Sequence, residues 1–218
     1  MDALDRLAPV AAELLDQVDA VLAQAGAPEH HPVWPLLRRL GALPGEAVSA
    51  LAVATPGSLA AVGATLSDLA DEYARLHAAL PGAPDWQGAG ADRFATQWQA
   101  LSGYLDDDLA DGLRRTASYV DEAGWWAADL RERTARTLAT VLTSAEAVEL
   151  RTAAGETTAV LAEAAAGIAV RVLEVLVDGY DRGERLLAEW APRLSEVPYR
   201  APTTAGPPRF DLTTEVQL

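Results

Sequence analysis

Leu59, Val62, Leu66, Leu69, Tyr73, Leu76 and Leu80 recur at spacings of three and four. That rhythm puts apolar side chains along one face of an α-helix and fits no strand. Phe94, Trp98, Leu101, Leu105, Leu109 and Leu113 repeat the pattern downstream. Between the two runs stands Pro81-Gly82-Ala83-Pro84, where proline removes a backbone donor and glycine opens positive φ. The chain must turn there, so the two runs predict the arms of a helical hairpin, 56–80 and about 89–122.

The rest of the chain reads the same way. Residues 2–25 predict a first helix, with Leu4, Leu7, Val10, Ala11, Leu14, Val18, Val21 and Leu22 on one face and Asp2, Asp5, Glu13, Asp16 and Asp19 largely outside it. Gly26 and Pro28 stop it, and Pro32 and Pro35 make a connector. Short helices follow at 36–40 and 45–53. Thr55-Pro56 then starts the hairpin with a hydroxyl cap and a proline at the first helical position. Gly124, just after the second arm, predicts a break or kink. Thr143 and Glu146 have capping-box spacing, and a long helix is expected over 156–190. From Val197 the chain is rich in Pro, Thr and Ala, which predicts a flexible tail.

The expected fold is therefore all-α, an elongated antiparallel helical bundle around the hairpin. Its parts are N-terminal helices (1–55), the hairpin (56–143), a long C-terminal helix packing on it (144–195) and a Pro-rich tail (196–218).

Composition narrows the function. Half of the 218 residues are hydrophobic, enough for a core. Seventeen basic residues, all Arg, face 32 acidic ones, a net charge of −15. That balance argues against binding nucleic acid, whose affinity rests on neutralising phosphates, and against anionic lipid surfaces. With no cysteine there is no thiolate ligand or nucleophile. His30, His31 and His77 lack metal-site spacing, and Asp106, Asp107 and Asp108 diverge around a helix. We expect no catalytic residue, no metal and no cofactor. The start, Met1-Asp2-Ala3-Leu4, lacks a basic region before an apolar core, so no cleaved signal is expected. The window from Ile168 to Val177 is too short and too charged to span a bilayer, so no membrane span is expected either. The adjacent Trp125 and Trp126 lie about 100° apart on a helix, so one can enter the core while the other faces outward.

Trp86 and Gly88 fall at the hairpin turn, with Phe94 and Trp98 soon after. A Trp-x-Gly turn between two amphipathic helices resembles the WXG-type, Esx-like family exported by type VII secretion systems, over about residues 55–143. The resemblance implies a non-enzymatic substrate or secretion-associated partner that acts by protein–protein binding. It implies that Trp86 and Gly88 shape the turn and that a Tyr-x-x-x-Asp/Glu pair completes the export signal. Tyr180 and Glu184 match that pair; Tyr104 and Asp108 share the spacing inside the second arm. A tail with spaced apolar residues, here Leu212, Val216 and Leu218, would engage the machinery. The implied partners are an Esx-like protein, the secretion ATPase or an effector, with a homo-oligomer as another assembly. Localisation would be cytoplasmic before export. The alternative is a cytoplasmic adaptor or chaperone-like bundle that binds a separate effector or toxin.

Overall fold

Asp2 caps the first helix through a reciprocal pair of bonds. Its Oδ1 accepts the Asp5 N–H at 3.0 Å, and Asp5 Oδ2 accepts the Asp2 N–H at 2.8 Å. These satisfy donors that a helix start leaves orphaned. The structure is a computed structural model that describes residues 1–80, 87–153 and 159–194, and of Asp106 the backbone alone. Every regular element among the described residues is helical. In order they are α1 (Ala3–Ala25), α2 (Val33–Leu40), α3 (Pro44–Val53), α4 (Pro56–Ala79), α5 (Ala89–Gly103), a π-helical stretch (Tyr104–Ala110), α6 (Asp111–Leu142), α7 (Ala145–Thr152) and α8 (Ala159–Trp190). The chain divides into two compact units. The first holds Met1–Thr65 and Arg115–Leu194, and the second Leu66–Arg114, so the division falls within α4 and within α6.

The first unit carries the main core. Leu4, Leu14, Val18 and Leu22 of α1 pack with Val33 of α2, Val48 of α3, Leu138 and Val141 of α6, Leu150 of α7, and Ile168, Val172 and Leu173 of α8. Fully burying such a side chain stabilises the fold by about 1.5–3 kcal/mol. α8 approaches α6 at two glycines. A Cβ on Gly179 would overlap the Leu130 methyls, and one on Gly183 would lie 2.7 Å from Trp126 Cζ2. The indole fills that groove, and its Nε1 donates to Gly179 O at 2.8 Å. Trp125, the next residue, is 79% exposed.

One buried cation organises the first unit. Arg131 is 2% exposed. Its Nε donates to Asp2 Oδ2 at 2.6 Å, and its Nη2 to Asp2 Oδ1 and Asp5 Oδ1. Its Nη1 meets the carbonyls of Leu51, Ala52 and Ala54 at 2.8, 3.0 and 2.7 Å. The guanidinium thus serves acids at the start of α1 and the last carbonyls of α3. Asp2 and Asp5, expected largely outside the apolar face of the first helix, keep 44% and 33% side-chain exposure, and both also turn to Arg131.

Two further expectations change. The helix does not break at Gly124: α6 runs through it, and the irregularity is the π-helical stretch upstream. Gly124 faces the start of α4, where a Cβ would lie 3.7 Å from Leu59 Cβ, an ordinary contact distance. The cap of α7 is Ser144, not Thr143. Ser144 Oγ accepts the Ala147 N–H at 3.3 Å, while the Thr143 hydroxyl turns back to Thr140 O at 3.1 Å. Glu146 pairs instead with Arg171. Residues 156–158 of the expected last helix lie outside the described residues, as does the tail.

The hairpin arms differ most from expectation. Leu59, Gly63, Leu66, Ala70, Tyr73 and His77 of α4 are turned inward, themselves spaced by four and three, and Pro56 and Ala74 are partly buried beside them. In the first unit a Cβ on Gly63 would lie 2.5 Å from Asp121 Oδ1 and 3.6 Å from Ala117 O, while Leu59 faces Gly124. The start of α4 therefore runs antiparallel to α6 across a seam of small residues. In the second unit Ala70 and Ala110 are both fully buried, and His77 Nε2 and Ser102 Oγ are 2.6 Å apart. Leu69, Leu76 and Leu80, expected on the inner face, are exposed. Phe94 and Leu101 of α5 are exposed as well. Two helices bury only a narrow stripe between them, and small side chains let backbones approach most closely.

By length and composition, one helical stretch among the described residues, Pro44–Ala79, is long and apolar enough to cross a membrane. The mean hydropathy of its richest 18 residues is 1.6, and 11% of that window is buried. The stretch is two helices, α3 and α4, interrupted at Ala54 and Thr55. Arg131 meets the Ala54 carbonyl at that break.

Candidate protein-binding site

On α8, Tyr180 and Glu184 lie one turn apart, as i and i+4 on a helix must. Both are exposed, Tyr180 by 48%. One side chain on α2 reaches both. The Arg39 guanidinium carbon sits 4.8 Å from the centre of the Tyr180 ring. Its Nη2 donates to Glu184 Oε2 at 2.5 Å and to Asp181 Oδ1 at 2.7 Å, and its Nε reaches Asp181 Oδ1 at 3.1 Å. Those carboxylates, Glu184 foremost, raise the Arg39 pKa and fix its charge.

The local sequence explains the arrangement. Gly183 gives room to Trp126, which turns this edge of α8 onto α6 and leaves Tyr180 and Glu184 on an outer edge. Gly41 ends α2 in the left-handed conformation, φ 67°, just after Arg39. Arg39 and Asp181 carried no local signal in the sequence, because their pairing spans 142 residues. Beside this cluster, Asp178 accepts from Arg133 Nη1 at 2.6 Å and lies 3.2 Å from Arg182 Nε. The Arg133 bond foremost holds the Asp178 carboxyl below its usual range.

The other expected site residues divide. Gly88 is the N-cap of α5, exposed and at φ 108°, a conformation that favours glycine. Trp86, Leu212, Val216 and Leu218 lie outside the described residues. Tyr104 and Asp108 fall in the π-helical stretch. A further apolar surface was missed. In the second unit Leu69, Leu76 and Leu80 on α4, and Phe94 and Leu101 on α5, face outward. Phe94 stacks on Trp98 with ring centres 5.9 Å apart. Exposed acids border the stripe on α4, Asp68, Asp71 and Glu72.

His31 Nδ1 accepts the Val33 N–H at 3.2 Å and so serves the start of α2. Between α1 and α3 an open groove is lined by Ala8, Ala12, Leu15 and Val48, with Asp5 and Asp16 at its edge. Among the described residues no group of three His, Cys, Asp or Glu side chains is placed to hold a metal ion. No family model, curated protein or solved structure matches the chain.

Proposed function

We propose that this chain is a non-enzymatic helical protein of the WXG-type, Esx-like kind, a substrate or secretion-associated partner of a type VII secretion system. It acts by protein–protein binding, with an antiparallel helical bundle built around the α4–α5 hairpin. The observation that carries the reading is the exposed apolar stripe of the second unit. Leu69 and Leu76, like Phe94 and Leu101, are seven residues apart, the interval at which a second helix meets the same face. Large exposed apolar patches mark interaction surfaces. The bordering acids Asp68, Asp71 and Glu72 favour a helical partner with basic flanks over a second copy of this acidic chain.

In this reading Trp86 and Gly88 form the corner, Tyr180 and Glu184 belong to the recognition surface, and Leu212, Val216 and Leu218 engage the machinery. The protein is cytoplasmic before export. The test is secretion from a type VII-competent host. Export lost in Trp86→Ala, and in Leu69→Ser/Leu76→Ser, with unchanged thermal melting, supports the reading. Wild-type protein retained in the cell and bound to an effector would replace it with the adaptor function.

A further inference from the structure

We propose that Arg39 is an internal occupant of the Tyr180–Glu184 surface, so that a partner reaches this surface only by displacing α2's guanidinium with a cation of its own. The inference rests on the reading of Tyr180 and Glu184 as recognition residues. Arg39 covers the Tyr180 ring at 4.8 Å and bonds both Asp181 and Glu184. A planar cation over an aromatic face, bonded to flanking carboxylates, is the complement that a ring and two acids select. The same complement defines the partner, which presents an Arg or Lys to this edge of α8.

The cover is of the reversible kind. The side chains of Arg39, Asp181 and Glu184 are 38%, 39% and 54% exposed. Ion pairs this open to water are weak and screened by salt. A competing cation can therefore exchange with Arg39 without unfolding α2. Leu36, Leu37 and Leu40 pack against the core and hold α2 independently of the ion pairs.

The experiment compares the secreted fractions of wild type, Arg39→Ala, Tyr180→Ala and the double variant in a type VII-competent host. Melting temperature of each purified protein is measured alongside. Arg39→Ala is expected to raise the secreted fraction by about two- to tenfold, the scale of releasing one or two exposed ion pairs. The double variant is expected to fall to the level of Tyr180→Ala. Should Arg39→Ala melt early, Arg39→Gln keeps most of the stem and replaces it in the comparison. If the folded variant is exported no better than wild type while Tyr180→Ala is impaired, Arg39 is a structural clamp and the masking idea is wrong. If Tyr180→Ala is exported like wild type, the recognition reading of this surface fails and the mask falls with it.

Discussion

Arg131 Nε lies 2.6 Å from Asp2 Oδ2 across 129 residues of sequence. The same guanidinium serves three carbonyls at the end of α3, so one side chain joins α1, α3 and α6. Replacing Arg131 by Met keeps bulk and removes every donor. Breaking a buried ion pair in this way costs about 3–5 kcal/mol. The Asp2 and Asp5 side chains keep 44% and 33% exposure, which puts the expected loss at the lower end of that range. Arg131→Lys keeps the charge without the planar fork and should recover only part of the loss. Urea denaturation followed by circular dichroism measures both.

Acid should weaken the same junction. The Arg131 hydrogen bond holds the Asp2 carboxyl down at about 2, against an ordinary 3.8. A depressed carboxyl contributes its stability in full above the ordinary value and loses it as pH falls through the folded one. The loss is therefore expected between about pH 4 and about pH 2, amounting to about 1 kcal/mol once the exposure of Asp2 is allowed for. Asp19 runs the other way. Burial pushes its carboxyl up, although Oδ1 and Oδ2 accept the Gly45 N–H at 3.1 and 3.0 Å. Its contribution is full at low pH and is lost as pH rises through the folded value. Melting temperature against pH should show a shallower acid limb for Asp2→Asn, and a neutral-pH melting point for Asp19→Asn at or above wild type.

The α6–α8 groove predicts an intolerance to one methyl. Gly183→Ala places a carbon against the Trp126 ring, and Gly179→Ala places one into Leu130. Overpacking of a filled site costs about 1–3 kcal/mol. Gly179→Ala should be the worse of the two, because Leu130 is buried whereas Trp126 is only partly buried. Thermal melting of the two single variants decides it.

The hairpin predicts an inversion of the usual size rule. Leu69→Ser and Leu76→Ser remove exposed side chains and should change stability by no more than about 0.5 kcal/mol each. Ala70→Leu adds an apolar group to a fully buried position and should destabilise by about 1–3 kcal/mol. Chemical denaturation of the three variants tests the order.

Elements with both a period and a punctuation mark were legible. The first helix, expected over 2–25, is Ala3–Ala25, because Asp2 caps it and Gly26 ends it. Trp125 and Trp126 divide between solvent and core as their angular separation requires. On α4 the large apolar residues suggested the inner face, yet spacing alone does not say which of two adjacent stripes a partner helix takes. Gly63 and Ala70 won because close approach needs small side chains, and Leu69 and Leu76 were displaced outward. Of the expected binding residues, Tyr180 and Glu184 were readable as a local spacing. Arg39 was not, since an ion pair across 145 residues leaves no local pattern.

The Arg131 junction also orders events during synthesis. Asp2 and Asp5 leave the ribosome well before Arg131 is made, and the end of α3 emerges with its carbonyls still in water. Until α6 arrives, these early segments have a cap but no cation. The bonds of Asp2 and Asp5 to Arg131 therefore form only once α6 has been made.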